Sequence, residues 1–201
     1  KMLLGAFSLY ESSDRLETIS AIRSSTQAVP AAGNPLPNFL GGYYSALAYG
    51  GYDGITPHDD VIYAIMHNRV FVRLPGAATS QTFQDYGTIP NAGVITGIVL
   101  DPEDWETAYA VDSNRVYRTT DHAQNWQIIS DKLGLSGMFD IEIVNTTGGD
   151  TALFVSTPLG IYRALNPAPN VDWTEYGRGL PNAMATDVLF SDRPAGTNDV
   201  L

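Results

Sequence analysis

Arg115-Val116-Tyr117-Arg118-Thr119-Thr120-Asp121-His122-Ala123-Gln124-Asn125-Trp126 decides the fold. A short β-prone run, an acid two residues past a threonine and a closing indole describe a strand, a tight turn and an aromatic that fills apolar space. The phrase recurs in weaker form. Leu9-Tyr10-Glu11-Ser12-Ser13-Asp14 keeps the hydroxyl-x-Asp core, with Ile19 where Trp126 stands. Val70-Phe71-Val72-Arg73 through Phe83, and Ile161-Tyr162-Arg163 through Trp173, keep the strand and the aromatic but lose the acid. The anchoring aromatics Tyr10, Phe71, Tyr117 and Tyr162 stand 61, 46 and 45 positions apart. Propeller blades recur at roughly 40–50 residues.

Alternating runs lie upstream of each phrase, as in Ile95-Thr96-Gly97-Ile98-Val99-Leu100 and Thr107-Ala108-Tyr109-Ala110. Each alternation predicts a half-buried strand, and the Asp-Pro and Gly-Gly steps after them predict turns. With strands lettered A to D outward from the axis, the chain reads B-C-D, then A-B-C-D three times, then a last A. The expected fold is all-β, a β-propeller with four blades' worth of four-stranded antiparallel sheets. The expected repeats span 1–22, 43–87, 94–130 and 138–177, with a final strand at 186–191. The first B-C-D and the last A together make one blade, so a closed four-bladed ring is one outcome. Asp199-Val200-Leu201 matches Asp60-Val61-Ile62, which favours part of a larger propeller.

Thr119-x-Asp121-x-Ala123-x-x-Trp126 resembles the Asp box, Ser/Thr-x-Asp-x-Gly-x-x-Trp, of the BNR-repeat propellers. That superfamily includes sialidases, sortilin/Vps10-like receptors and xyloglucanases. The resemblance implies that Ser12, Asp14, Thr119, Asp121 and Trp126 are structural and lie on the face opposite the binding pocket. It also implies a secreted or cell-surface setting and a glycan or protein ligand. Linking phrases such as Gly179-Leu180-Pro181-Asn182 are most similar to sortilin-like and xyloglucanase-like propellers.

Composition narrows the function classes. Eleven Lys plus Arg against 22 Asp plus Glu give a formal charge of -11, which repels nucleic acid at long range. The absence of Cys excludes disulfides, thiolate metal sites and a Cys nucleophile. No run approaches the roughly 18 apolar residues of a membrane span. His58, His67 and His122 are scattered, so no metal site and no cofactor is expected. Five of the nine Arg, at 69, 73, 115, 118 and 163, recur at or beside strand C, and the arginine phrase of sialidases is missing. No catalytic residue is assigned.

The expected pocket face gathers B–C loops and D–A linkers, including the long linker 23–42. Its candidate binding residues are Tyr43, Tyr44, His67, Asn68, Asp112 and Asn114, with Thr157 nearby. Tyr43 and Tyr44 suit stacking on a sugar ring or a partner side chain. One of them is equally suited to the strand A core. Asp112 is the one carboxylate expected there and lacks an acidic partner, whereas glycosidases need two. The resulting expectation is a non-catalytic recognition or structural module of a larger protein. The alternative is a fragment of a xyloglucanase-like glycoside hydrolase whose acids lie partly in other blades.

Overall fold

The computed structural model describes residues 2–6, 8–24, 43–77, 83–146, 148–177 and 183–190. Most of the long linker, 25–42, lies outside them. No helix occurs among the described residues, and so none is long and apolar enough to cross a membrane.

Fifteen strands form four antiparallel meanders. The first sheet holds β1 (Met2–Gly5), β2 (Ser8–Ser12) and β3 (Ser20–Ser24). The second holds β4 (Tyr44–Tyr49), β5 (Ile62–Met66), β6 (Arg69–Arg73) and β7 (Gln84–Thr88). In the third are β8 (Ile95–Leu100), β9 (Ala108–Asp112), β10 (Val116–Thr119) and β11 (Gln127–Ile128), and in the fourth β12 (Ile141–Asn145), β13 (Thr151–Thr157), β14 (Gly160–Leu165) and β15 (Trp173–Tyr176). The B-C-D, A-B-C-D pattern is therefore present, and the fold is an all-β propeller type.

Period-2 side-chain alternation builds the cores between sheets. In β5, Ile62 and Ala64 pack toward the first sheet with Leu9, Ile22 and Phe71, while Tyr63 and Ile65 pack toward the third with Ile95 and Ile98. β9 repeats this one sheet later: Ala108 and Ala110 face the second sheet, Tyr109 and Val111 the fourth. Each middle strand is apolar on both faces because each face has a neighbour. Three such cores join sheets one to two, two to three and three to four. Arg73, itself buried, adds a polar tie from the second sheet to Glu11 of the first at 3.0 Å.

A single backbone contact recurs at every junction. The carbonyl of each B–C turn accepts the N–H that opens the next sheet's inner strand. Tyr44 donates to Ala6 at 3.1 Å, Ile95 to His67 at 2.7 Å, Met138 to Ser113 at 3.2 Å and Ala185 to Thr157 at 3.0 Å. The fourth copy places 183–190 at the inner-strand position of a fifth sheet. The expected final strand at 186–191 is not formed as a ladder: 183–190 pair with no strand among the described residues, and 191 lies outside them.

The two hydroxyl-x-Asp turns share one geometry. Ser12 Oγ donates to Asp14 Oδ1 and accepts from Leu16 N–H, and Asp14 Oδ1 accepts from Thr18 N–H. Thr119, Asp121, Ala123 and Asn125 repeat these bonds in the third sheet. Hydrogen bonds from the Thr18 side chain, the Thr18 backbone and Ser12 hold the exposed Asp14 carboxyl down at about 2. The contribution of that carboxylate is therefore present above its ordinary 3.8 and lost as pH falls toward 2. Burial pushes Asp121 up, but bonds from Asn125 and Thr119 outweigh it and leave that acid lowered as well. Trp126 packs half-buried against the core between sheets two and three, so its side chain is less enclosed than a fully buried anchor.

Both turns force side-chain residues into the left-handed region, with φ of 73° at Leu16 and at Ala123. Glycine occupies that region without the Cβ penalty of about 1–2 kcal/mol. Leu16 is exposed and contributes little packing. Leu16→Gly should therefore raise stability by about 0.5–1 kcal/mol, net of the extra freedom of the unfolded chain. Chemical denaturation checks this; a loss of stability would contradict the strain assigned to the turn.

Candidate functional site

The B–C turns and D–A linkers meet on one face, as the strand order requires. Most of the polar residues expected to bind there are engaged in holding that face together. Asp112 is 1% exposed and accepts four hydrogen bonds. Its Oδ1 takes the N–H groups of Asn114 and Arg115, both at 2.7 Å. Its Oδ2 takes Gly93 N–H at 2.8 Å and the Tyr117 hydroxyl at 3.0 Å. Burial and the neighbouring Asp112 charge push the Tyr117 phenol up to about 12, which keeps it a donor. With its oxygens consumed, Asp112 is the knot of its own loop and not a free acid or base.

Asn68 is equally committed. Its Nδ2 donates to the Ala92 carbonyl and its own carbonyl accepts from Ile89 N–H, tying the β5–β6 turn to the next linker. His67 occupies the left-handed region at φ 61°, with an exposed side chain, and its carbonyl makes the junction bond to Ile95. Asn114 is exposed and bonds Ser113. Thr157 is buried, donating to Gly160 O and accepting from Leu159 N–H. Tyr44 belongs to the core between the first two sheets, beside Leu9 and Phe71. Burial pushes its phenol up, despite the opposing charge of Arg23. Of the tyrosine pair only Tyr43, 65% exposed, faces solvent.

The junction bonds line up the residues immediately before each donor: Tyr43, Val94, Gly137 and Met184. Tyr43, Val94 and Met184 are exposed. At the third position Pro158 fills the space, since a Cβ on Gly137 would lie 2.8 Å from its Cγ, and Leu159 of the same turn is exposed beside it. The mouth of the inner strands is thus rimmed by apolar side chains on a hydrogen-bonded frame. Periodicity alone could not reveal this rim, because it is defined by bonds between sheets.

Two residues below each junction donor a second row runs through Ala46, Gly97, Asp140 and Asp187. Gly97 leaves room for Asp140, whose Oδ1 would lie 2.9 Å from an added Cβ. Asp140 Oδ2 accepts Val188 N–H at 3.2 Å, and the Asp187 carboxyl lies near enough to act on it. Burial, then the hydrogen bond and charge of Asp187, raise the Asp140 carboxyl above its ordinary range. This acid pair, 47 positions apart in sequence, was not among the sequence-based candidates. No signal local to either residue identifies it. On the opposite face, His58 pairs with Asp53 at 3.0 Å and His122 stacks on Trp105 at 5.9 Å. No group of three or more potential metal ligands occurs among the described residues.

Two substitutions test these assignments. Asp112→Ala should cost about 1–3 kcal/mol by leaving buried donors unmatched, read as a lowered denaturation midpoint. A midpoint unchanged from the parent would contradict its role as a loop knot. Because Asp140 binds its proton more tightly when folded, the unfolded chain releases that proton first as pH rises. Folding then loses stability through the window just above 3.8. Asp140→Asn keeps an acceptor for Val188 and supplies a neutral donor to Asp187. It should raise the melting temperature near neutral pH and bring no gain below 3.8, where the parent is already protonated. An equal gain at both would contradict the raised Asp140 carboxyl.

No family model matches the chain, and no curated protein matches it in sequence. Among solved structures, an ancestral GH74 enzyme is similar to it at 11% identity and a TM-score of 0.43. The match covers 84% of this chain and 30% of the enzyme's length.

Proposed function

We propose that the chain is a non-catalytic recognition or structural propeller module of a larger secreted or cell-surface protein. It is of the Asp-box, sortilin-like kind and binds a glycan or protein through its loop face. The apolar rim of Tyr43, Val94, Leu159 and Met184 on a backbone-stitched frame carries this reading. Exposed apolar side chains fixed on rigid turns stack on sugar faces or partner side chains with little ordering cost. The acidic surface suits neutral glycans or basic partners and disfavours nucleic acid.

The second reading is a xyloglucanase-like glycoside hydrolase fragment, and the Asp140–Asp187 pair is what speaks for it. A hydrolytic pair also needs a set spacing. Retaining enzymes hold their carboxyls about 5 Å apart and inverting enzymes about 6.5–9.5 Å, leaving room for the glycosidic bond or a water. Asp140 Oδ2 is instead tied to the backbone N–H of Val188.

A glycan array with the purified chain, read beside Tyr43→Ala, tests the proposal. Loss of Tyr43 stacking should weaken binding by about 1–3 kcal/mol, using aromatic base stacking as the scale, with the melting temperature unchanged. Binding that is indifferent to Tyr43 would remove the rim from the site. Reducing-sugar release from xyloglucan that disappears in Asp140→Asn or Asp187→Asn would establish the hydrolytic reading instead.

A further inference from the structure

The A–B turns are unequal. After β8 and β12 the chain turns within 101–107 and 146–150, whereas after β4 it takes the longer path 50–61. The extra residues build a small hairpin, closed by the Tyr52–Pro57 bridge and by bonds from Asp53 N–H to Thr56 O at 3.3 Å and from His58 N–H to Gly51 O at 2.8 Å. Asp53 pins its tip. Oδ1 accepts Ile55 N–H at 2.9 Å and Thr56 N–H at 2.6 Å, and Oδ2 pairs with His58 Nε2 at 3.0 Å.

The third sheet braces the base of this hairpin. Trp105 donates its backbone N–H to Tyr52 O at 2.8 Å, and a Cβ on Gly51 would lie 2.4 Å from the Cβ of Trp105. His58 meets the Trp105 ring in a T-shaped contact at 6.3 Å while His122 stacks on it. On that frame Ile55 stands 85% exposed, the most exposed large apolar side chain among the described residues, and Pro57 is exposed as well. The Ile55 side chain belongs to none of the three cores. A lone exposed isoleucine is ordinary on a surface. One fixed at the tip of a braced turn is a preformed anchor, because a partner need not order it.

Charge says what covers it. The A–B turns share their face with the C–D turns 13–19, 120–126 and 166–172, and among them these segments hold twelve of the 22 carboxylates against one cation, Arg15. The B–C turns on the opposite face hold Arg115 and no acid. The whole formal charge of -11 therefore resides on the face that carries Ile55. We infer that the 50–61 hairpin is the docking point for a basic segment of another protein. The segment lays an apolar side chain on Ile55 and sets Lys or Arg side chains against the surrounding carboxylates, such as Asp53 and Glu106. Burial of the isoleucine supplies affinity, and the acidic field steers the partner in and rejects acidic competitors.

The test is an NMR titration of the isotope-labelled intact chain near physiological salt. Its probes are a peptide of alternating Lys and Leu, the Glu–Leu counterpart and an oligolysine of equal charge. The Lys–Leu peptide should bind most tightly and shift the signals of 52–58 and of the Trp105 indole N–H, and the Glu–Leu peptide should not bind. Both cationic peptides should weaken as salt rises, oligolysine more steeply. Ile55→Ser removes the anchor and keeps the backbone bonds of the hairpin, so the melting temperature and oligolysine binding should hold. Lys–Leu binding should weaken about tenfold, the scale of an aliphatic side chain returned to water. Equal affinity for Lys–Leu peptide and oligolysine, or Lys–Leu binding that ignores Ile55→Ser, would reduce the face to unspecific attraction and overturn the inference. So would a Lys–Leu peptide that fails to bind, binds independently of salt, or shifts signals on the B–C face instead.

Discussion

The bond from each inner strand's first N–H to the carbonyl of the preceding sheet's B–C turn is the constraint on which the remaining geometry depends. It is made between backbone groups, so it survives wide sequence change, and a buried backbone donor left without it would be costly. Because it recurs at Tyr44, Ile95, Met138 and Ala185, it sets the inner strands at one height. Side chains at equal distance from the bond then form rows across sheets. The residue before it is a rim position. The residue two beyond Tyr44 or Ile95, or beyond the matching Met138 and Ala185, lies at a sheet-to-sheet contact, where Ala46 and Gly97 are small and Asp140 and Asp187 meet.

That frame explains why residues that looked chemically promising turn out to be structural. A B–C turn must make a tight reversal and also present its carbonyl to the neighbouring sheet. Polar side chains are the means by which it does both. Asp112 gathers the N–H groups of its own turn and of the adjoining linker, Asn68 reaches across to Ala92, and Thr157 closes on Gly160. Once these hydrogen bonds are made, little lone-pair or donor capacity is left for a ligand. What the face offers outward is chiefly the apolar or aromatic residue that the turn does not need.

The acid pair presents the opposite case. Neither Asp140 nor Asp187 stands in a turn motif, and each reads locally as a polar interruption in a strand-like run. They come near one another because 183–190 lies beside β12, with Val188 bonded to Asp140, and because Gly97 on the other side leaves space for the Asp140 carboxyl. Placing like charges together at a half-buried joint couples the seating of 183–190 to proton binding. The adjacent sheets one to three have no such charge at their joints in this row.

The strands, their order and the two acid-centred turns follow from the sequence alone, because each depends on residues a few positions apart. Alternation with period 2 marks Ile95–Leu100, and the bonds from Thr119 and Asp121 reach no further than Ala123 and Asn125. Hydrophobicity on both faces of β5 and β9 likewise reports a neighbour on each side. Contacts between sheets decided the rest. Tyr44 went to the core while Tyr43 remained outside, since pairing with Met66 fixed which way each faces. Asp112 was consumed by Gly93 and Tyr117 as well as by its own turn, and Asp140 found Asp187 across 47 positions. Those outcomes depend on the register and height of separate sheets, which are set by backbone bonds between distant segments and leave no periodic trace in the amino-acid sequence.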